Sequence, residues 1–181
     1  MKVKSIEQLN VLIVDDDRRM LIRNMLFALG VKDVAEASDG KTAFKEMQDF
    51  HSDLMLVDLK MEPIGGLEFV RRLRADTKNP YRFVPVIMIT AYADLNTVAM
   101  ARDVGITEFM AKPVSAAALQ QRIQRVLKDP RRFVEAPEFT GPDRRRKKAA
   151  LGGNERREIP PKFADPPENV PAAPKSPETK L

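Results

Sequence analysis

The sequence predicts an α/β fold: a five-stranded parallel sheet, doubly wound, with helices on both faces. Three observations carry that reading. Short apolar runs recur along the first 130 residues, helix-spaced stretches separate them, and several runs end abruptly in a polar or charged residue.

Leu9 to Val14 is a compact apolar run that stops at Asp15, Asp16 and Asp17, and it reads as a buried strand. Leu21, Ile22, Met25, Leu26 and Leu29 follow at helical spacing, with Gly30 as the stop. Val34 to Ala37 is a weak second strand, and Asp39 is placed to cap a helix carrying Ala43, Phe44 and Met47 on one face. Leu54 to Val57 is the third run, ending in Asp58. After the turn-rich Pro63-Ile64-Gly65-Gly66 comes a helix with Leu67, Val70 and Leu73 inward and Arg71, Arg72 and Arg74 outward. Phe83 to Ile89 is the fourth strand and runs into Thr90. Asp94 can cap the next helix, which carries Leu95, Val98, Ala99 and Arg102 up to Gly105. Ile106 to Ala111 is the fifth strand, followed by Lys112-Pro113. Ser115 starts a last helix with Leu119, Ile123, Val126 and Leu127 on its buried stripe, ended by Asp129-Pro130.

Composition divides the 181 residues in two. Of 14 prolines only Pro63, Pro80, Pro85 and Pro113 precede residue 130; the rest crowd the last third. This predicts a globular domain over 1–129 and a basic, proline-rich flexible tail over 130–181, too polar to bury a core. Cysteine is absent, which excludes disulfides and thiolate metal sites, and a single histidine argues against a His-cluster zinc site. The N-terminus lacks the apolar core of a signal peptide, and no stretch approaches a membrane span. A soluble cytoplasmic protein is the expectation.

In open parallel sheets, ligands bind beyond the carboxyl ends of the strands. That rule selects Asp15 to Asp17, Asp58, Thr90 and Lys112. Singly these are weak signals: an aspartate after a strand is more often a cap or turn former, the reading kept for Asp17, Asp39 and Asp94. Together they are informative, because several carboxylates held close repel one another and call for a positive partner. Carboxylate and carbonyl oxygens suit Mg²⁺ better than zinc. With the Lys112 ammonium and the Thr90 hydroxyl, they would form a cradle for a transferring phosphoryl group, with Asp58 as the natural nucleophile.

The stretches VLIVDDD, LMLVDLKM, VIMITA and FMAKP, in that order, resemble the receiver domain of response regulators, of the chemotaxis-regulator type with a flavodoxin-like fold. The resemblance runs from Leu9 to Leu127 and implies roles for particular residues. Asp15 and Asp16 match the Mg²⁺-binding acid pair, with the register among Asp15, Asp16 and Asp17 left open. Asp58 matches the phospho-acceptor, and the backbone carbonyl of Lys60 the remaining protein ligand to the metal. Thr90 matches the switch hydroxyl, Lys112 the phosphoryl-contacting lysine, and Phe109 the aromatic switch position, where sheet packing is the plainer reading. Lys112-Pro113 matches a cis bond of the family. Two departures lie beside the site: Met61-Glu62-Pro63 stands for the common Met-Pro, and Gly65-Gly66 for the frequent Asp-Gly.

The resemblance further implies a histidine kinase or histidine phosphotransfer protein as donor, and an unknown downstream protein as target. The chain would catalyse its own phosphorylation and dephosphorylation without being an enzyme that turns over a substrate. His51 reads as a solvated loop histidine. In the tail, Arg131-Arg132-Phe133 and the run from Gly141 to Lys148 concentrate positive charge. Such a run is usually a solvated segment, and no folded DNA reader is evident. Two other readings remain open: a regulator whose tail adds nonspecific nucleic-acid binding, and a small phosphatase-like enzyme.

Overall fold

The computed structural model describes residues 4–92, 94–128, 130–136, 139–143 and 162–164. Five strands, β1 (Asn10–Val14), β2 (Asp33–Ala37), β3 (Leu54–Asp58), β4 (Val86–Thr90) and β5 (Glu108–Ala111), alternate with α1 (Arg19–Ala28), α2 (Gly40–Asp49), α3 (Gly66–Ala75) and α4 (Leu95–Asp103), and α5 (Ala116–Lys128) closes the series. The strands pair in the order β2-β1-β3-β4-β5, all parallel. The order reverses between β1 and β3, so the crevice for a ligand opens at the carboxyl ends of those two strands.

Side chains alternate across the sheet with the period of a strand. Leu12, Val14, Met55, Val57, Val86 and Met88 face one core, shared with α2, α3 and α4. Val11, Ile13, Leu54, Leu56, Ile87 and Ile89 face the other, shared with α1 and α5. With both faces covered, β3 and β4 are buried along their whole length, which is why they read as unbroken apolar runs. On α5, Leu119, Ile123 and Val126 of the expected stripe are buried, and Leu127 is half-buried against the same core.

Asp39 and Asp94 are helix caps. Asp39 accepts hydrogen bonds from the Lys41 and Thr42 amides, and Asp94 from the Thr97 amide. Burial pulls the Asp39 carboxyl upward, but the bonds from Lys41, Ser38 and Thr42 outweigh it and hold the group below its ordinary value. Its contribution is therefore complete above the unfolded carboxyl's pKa and lost as pH falls through the lower, folded value. Asp39→Ala is expected to cost about 1 kcal/mol in chemical denaturation at neutral pH, and less in acid.

Two expectations need correction. Arg74 is not outward: it is 2% exposed, while Arg71 and Arg72 on the same helix lie in solvent. Four residues beyond the buried Val70, Arg74 falls on the same helical face. It is tolerated there because its guanidinium donates to the carbonyls of Gly105, Arg82 and Val84. The second correction concerns the residues after Pro130, which showed no strand pattern. Phe133–Ala136 (β6), Phe139–Pro142 (β7) and Lys162–Ala164 (β8) form an antiparallel sheet in the order β7-β6-β8. Strands of three or four residues are too short to show alternation, and Pro142 and Gly141 disguise β7. The rest of the expected tail, including the basic run from Arg144 to Lys148, lies outside the described residues.

Candidate functional site

Four of the five strand ends, those of β1, β3, β4 and β5, deliver groups to the crevice. Asp15 follows β1 and is 1% exposed; its own amide bonds to the Ala37 carbonyl, which fixes the chain at the end of the β1–β2 pair. One carboxylate oxygen, Oδ1, accepts from the amides of Asp17 (2.9 Å) and Arg18 (2.6 Å). The other, Oδ2, accepts from Lys112 Nζ at 3.0 Å. Asp58 is the last residue of β3; its Oδ1 accepts from the Leu59 amide at 2.8 Å, and its Oδ2 lies 3.1 Å from the same Lys112 Nζ. A single ammonium thus joins the ends of β1, β3 and β5. The backbone amide of Lys112 donates to the Thr90 carbonyl at 2.7 Å, tying it to β4 as well.

Asp16 is exposed, yet carboxylate oxygens of Asp15, Asp16 and Asp58 lie within 4.8 Å of one another. Asp17 is not in this group, its side chain being 82% exposed and 3.7 Å from Arg18. Thr90 is buried, and its hydroxyl accepts the Tyr92 amide at 3.0 Å. It stands one residue beyond Ile89, the β4 partner of Asp58.

The electrostatics distinguish the two buried aspartates. Burial pushes Asp15 up, but bonds from the Arg18 and Asp17 amides and from Lys112 outweigh it, and the carboxyl is held below its ordinary value. Asp58 goes the other way: burial raises it, Lys112 opposes, and the negative charge of Asp15 raises it again. Burial would lower Lys112, but Asp15 and Asp58 hold its ammonium above the usual lysine value. Asp58 is therefore the more basic of the two carboxylates. Three carboxylates against one ammonium leave negative charge in excess, and all the donors are hard oxygens, so the site fits a hard divalent cation.

Several neighbours were not legible in the sequence. Gly66 opens α3 directly against the Asp58 carbonyl: a Cβ there would lie 2.1 Å from that oxygen. Glycine at 66 is thus a requirement of close approach to the site. Lys60 sets its ammonium 3.9 Å over the ring of Tyr92, joining the loops after β3 and β4 by a cation–π contact. Neither pairing has a local signature.

Phe109 sits three residues before Lys112, paired with Met88 in the β4–β5 register, and is half-buried against the core. Phe109 also lines a cavity of about 410 Å³ with Val98 and Arg122. Lys112–Pro113 is cis, as the resemblance implies, and Glu62–Pro63 is cis as well. His51 lies away from the crevice but is not solvated: 18% exposed, it stands 3.5 Å from Asp53 and packs on Tyr81.

A parallel five-stranded sheet in this order, with an aspartate–lysine cluster at its carboxyl edge, defines a receiver-type α/β domain. The sequence model of the response regulator receiver domain matches residues 11–124, and the chain belongs to that family. It is 32% identical over 120 residues to the chemotaxis protein CheY of Pseudomonas aeruginosa, covering 65% of this chain and 95% of that one. Among solved structures, the chemotaxis protein CheY4 of Vibrio cholerae is similar with a TM-score of 0.61 at 30% identity, covering 66% of this chain and 98% of that one. The receiver domain of a sensor histidine kinase from Pseudomonas aeruginosa PAO1 aligns with a TM-score of 0.59 at 29% identity, over 66% and 98% of the two chains. That structure has a magnesium ion coordinated in its active-site cleft. Among the described residues, no helix is long and apolar enough to cross a membrane.

Proposed function

We propose that the protein is a phosphoryl-accepting switch in which Asp58 is the acceptor. The observation that carries this reading is the Lys112 ammonium held within 3.1 Å of both Asp15 and Asp58 at the carboxyl edge of the sheet. The donor is the phosphohistidine of a histidine kinase or phosphotransfer protein. A carboxylate oxygen of Asp58 forms the new bond to phosphorus as the phosphorus–nitrogen bond breaks, and the departing imidazole keeps the electron pair and takes a proton from water. Asp58 needs no general base, since a carboxylate is already ionised at neutral pH.

Lys112 holds its positive charge beside the attacking oxygen, where charge develops on the transferred group. Asp15, Asp16, Asp58 and the Lys60 carbonyl would hold Mg²⁺. When bound, that ion supplies the rest of the charge neutralisation that phosphoryl transfer requires. Thr90 offers its hydroxyl to the acyl phosphate, and the ring of Phe109 moves into the space so vacated. The face formed by α4, β5 and α5 then changes its affinity for a downstream protein, as one of two populated arrangements is favoured. The same site hydrolyses the acyl phosphate in time. In this reading 1–129 is the receiver and 130–181 an extension of it.

Intact mass after incubation with Mg²⁺ and acetyl phosphate tests the proposal. One phosphoryl adduct is expected, dependent on the metal and absent from Asp58→Asn. An adduct of undiminished yield in that variant would remove Asp58 from the acceptor role.

A further inference from the structure

The C-terminal strands grip the receiver at the end of the sheet remote from Asp58, and the grip involves the residues that flank Phe109. Phe133 of β6 is 2% exposed, packed against Phe83 with ring centroids 5.3 Å apart and under the Arg74 guanidinium at 5.0 Å. Arg82, in the loop before β4, reaches both strands: it lies 3.6 Å from Glu135 and donates to the Thr140 hydroxyl at 3.4 Å. Backbone also lies against backbone. Gly105, in the α4–β5 turn with φ +89°, lies so near β7 that a Cβ would come within 2.5 Å of the Thr140 carbonyl. A Cβ on Gly141 would likewise come within 2.7 Å of Gly105 Cα. With the two glycines meeting at this spacing, a shift of the turn must displace β7.

A second tie runs through β5. Glu108, immediately before Phe109, is 7% exposed and joins Arg122 of α5 at 3.0 Å and Arg131 of the C-terminal segment at 3.2 Å. The cavity lined by Phe109 is also lined by Arg131 and Pro142. Phe109 and the C-terminal segment thus border one space.

We propose that β6 and β7 are a built-in readout of this receiver: their grip on the α4–β5 turn is coupled to Asp58 through Phe109 and Glu108, and phosphorylation loosens it. The inference rests on the phosphoryl-switch reading above. When the ring leaves the shared cavity, Arg131 and Pro142 lose a wall, and the cavity left behind disfavours the docked segment. The coupling is reciprocal, so a weakened grip favours the phosphorylated state to the same degree.

Hydrogen exchange on the full chain, followed by mass spectrometry, tests this, with the Asp58 adduct quantified in the same sample. With Mg²⁺ and acetyl phosphate, amides in 131–136 and 139–141 are expected to exchange roughly threefold faster or more, while those of β1 do not change. Full adduct with unchanged exchange in those strands overturns the coupling and leaves the phosphoryl switch intact. Absence of an adduct defeats the switch reading instead, and the coupling is then decided without phosphate. Phe109→Ala removes the ring from the cavity, and Glu108→Gln weakens the tie to Arg131. Both are expected to accelerate exchange in the same strands with β1 unaltered, and unchanged exchange in both overturns the proposal.

Discussion

Replacing Lys112 by alanine is expected to slow formation of the phosphoryl adduct by about 10²–10³-fold, the usual effect of deleting a charge aimed at a transition state. Single-turnover mass measurements with acetyl phosphate at saturating Mg²⁺ would show it. A rate within a few-fold of wild type would mean that Lys112 is only a structural tie. The same substitution acts on stability, because it leaves Asp15 and Asp58 facing each other without their shared ammonium. In a part-buried setting this costs up to roughly 3 kcal/mol. Without Lys112, Asp58 rises further above its unfolded value. A raised carboxyl favours the fold only below the unfolded pKa and costs stability as pH rises past it. The deficit is therefore expected to be small near pH 3 and to grow towards neutrality in denaturation without Mg²⁺.

Arg74→Ala is expected to be strongly destabilising, at about 4 kcal/mol. The buried carbonyls of Gly105 and Val84 and the part-buried one of Arg82 lose their donor at once, at roughly 1–3 kcal/mol for each buried group, and a cavity opens above Phe133. Burial lowers the guanidinium to about 9, with Arg82 acting in the same direction, and it remains charged at neutral pH. Urea denaturation would measure the loss. Arg71→Ala and Arg72→Ala, exposed residues that pair with Glu68, are the controls and should change little. An Arg74 variant as stable as those controls would mean that water replaces the lost bonds.

What could be read in the sequence follows from what is periodic. Strands buried on both faces are continuous apolar runs, and a strand in the middle of a parallel sheet leaves its last residue at the crevice. Asp15, Asp58 and Thr90 could therefore be placed from the sequence, and Lys112 by the position of the Lys-Pro pair just after the edge strand β5. Residue type misled where burial depended on distant partners. Arg74 looked like its neighbours Arg71 and Arg72 because the carbonyls that satisfy it come from loops 8 to 31 residues away. Its position four residues after Val70 was the available signal. Gly66 was noticed as a departure in a turn, but its reason, contact with the Asp58 carbonyl, exists only in three dimensions. The strands after Pro130 fold against Gly105 and Arg82, so their order is borrowed from the domain rather than encoded locally.

The central claim is that Asp58 carries the phosphoryl group. Reduction of the phosphorylated protein with borohydride converts an aspartyl phosphate to homoserine, which peptide sequencing by mass spectrometry then locates. Homoserine at position 58 alone, and none in Asp58→Asn, is the predicted result. Homoserine at 15 or 16, or an adduct that survives reduction on a hydroxyl or on His51, would contradict it.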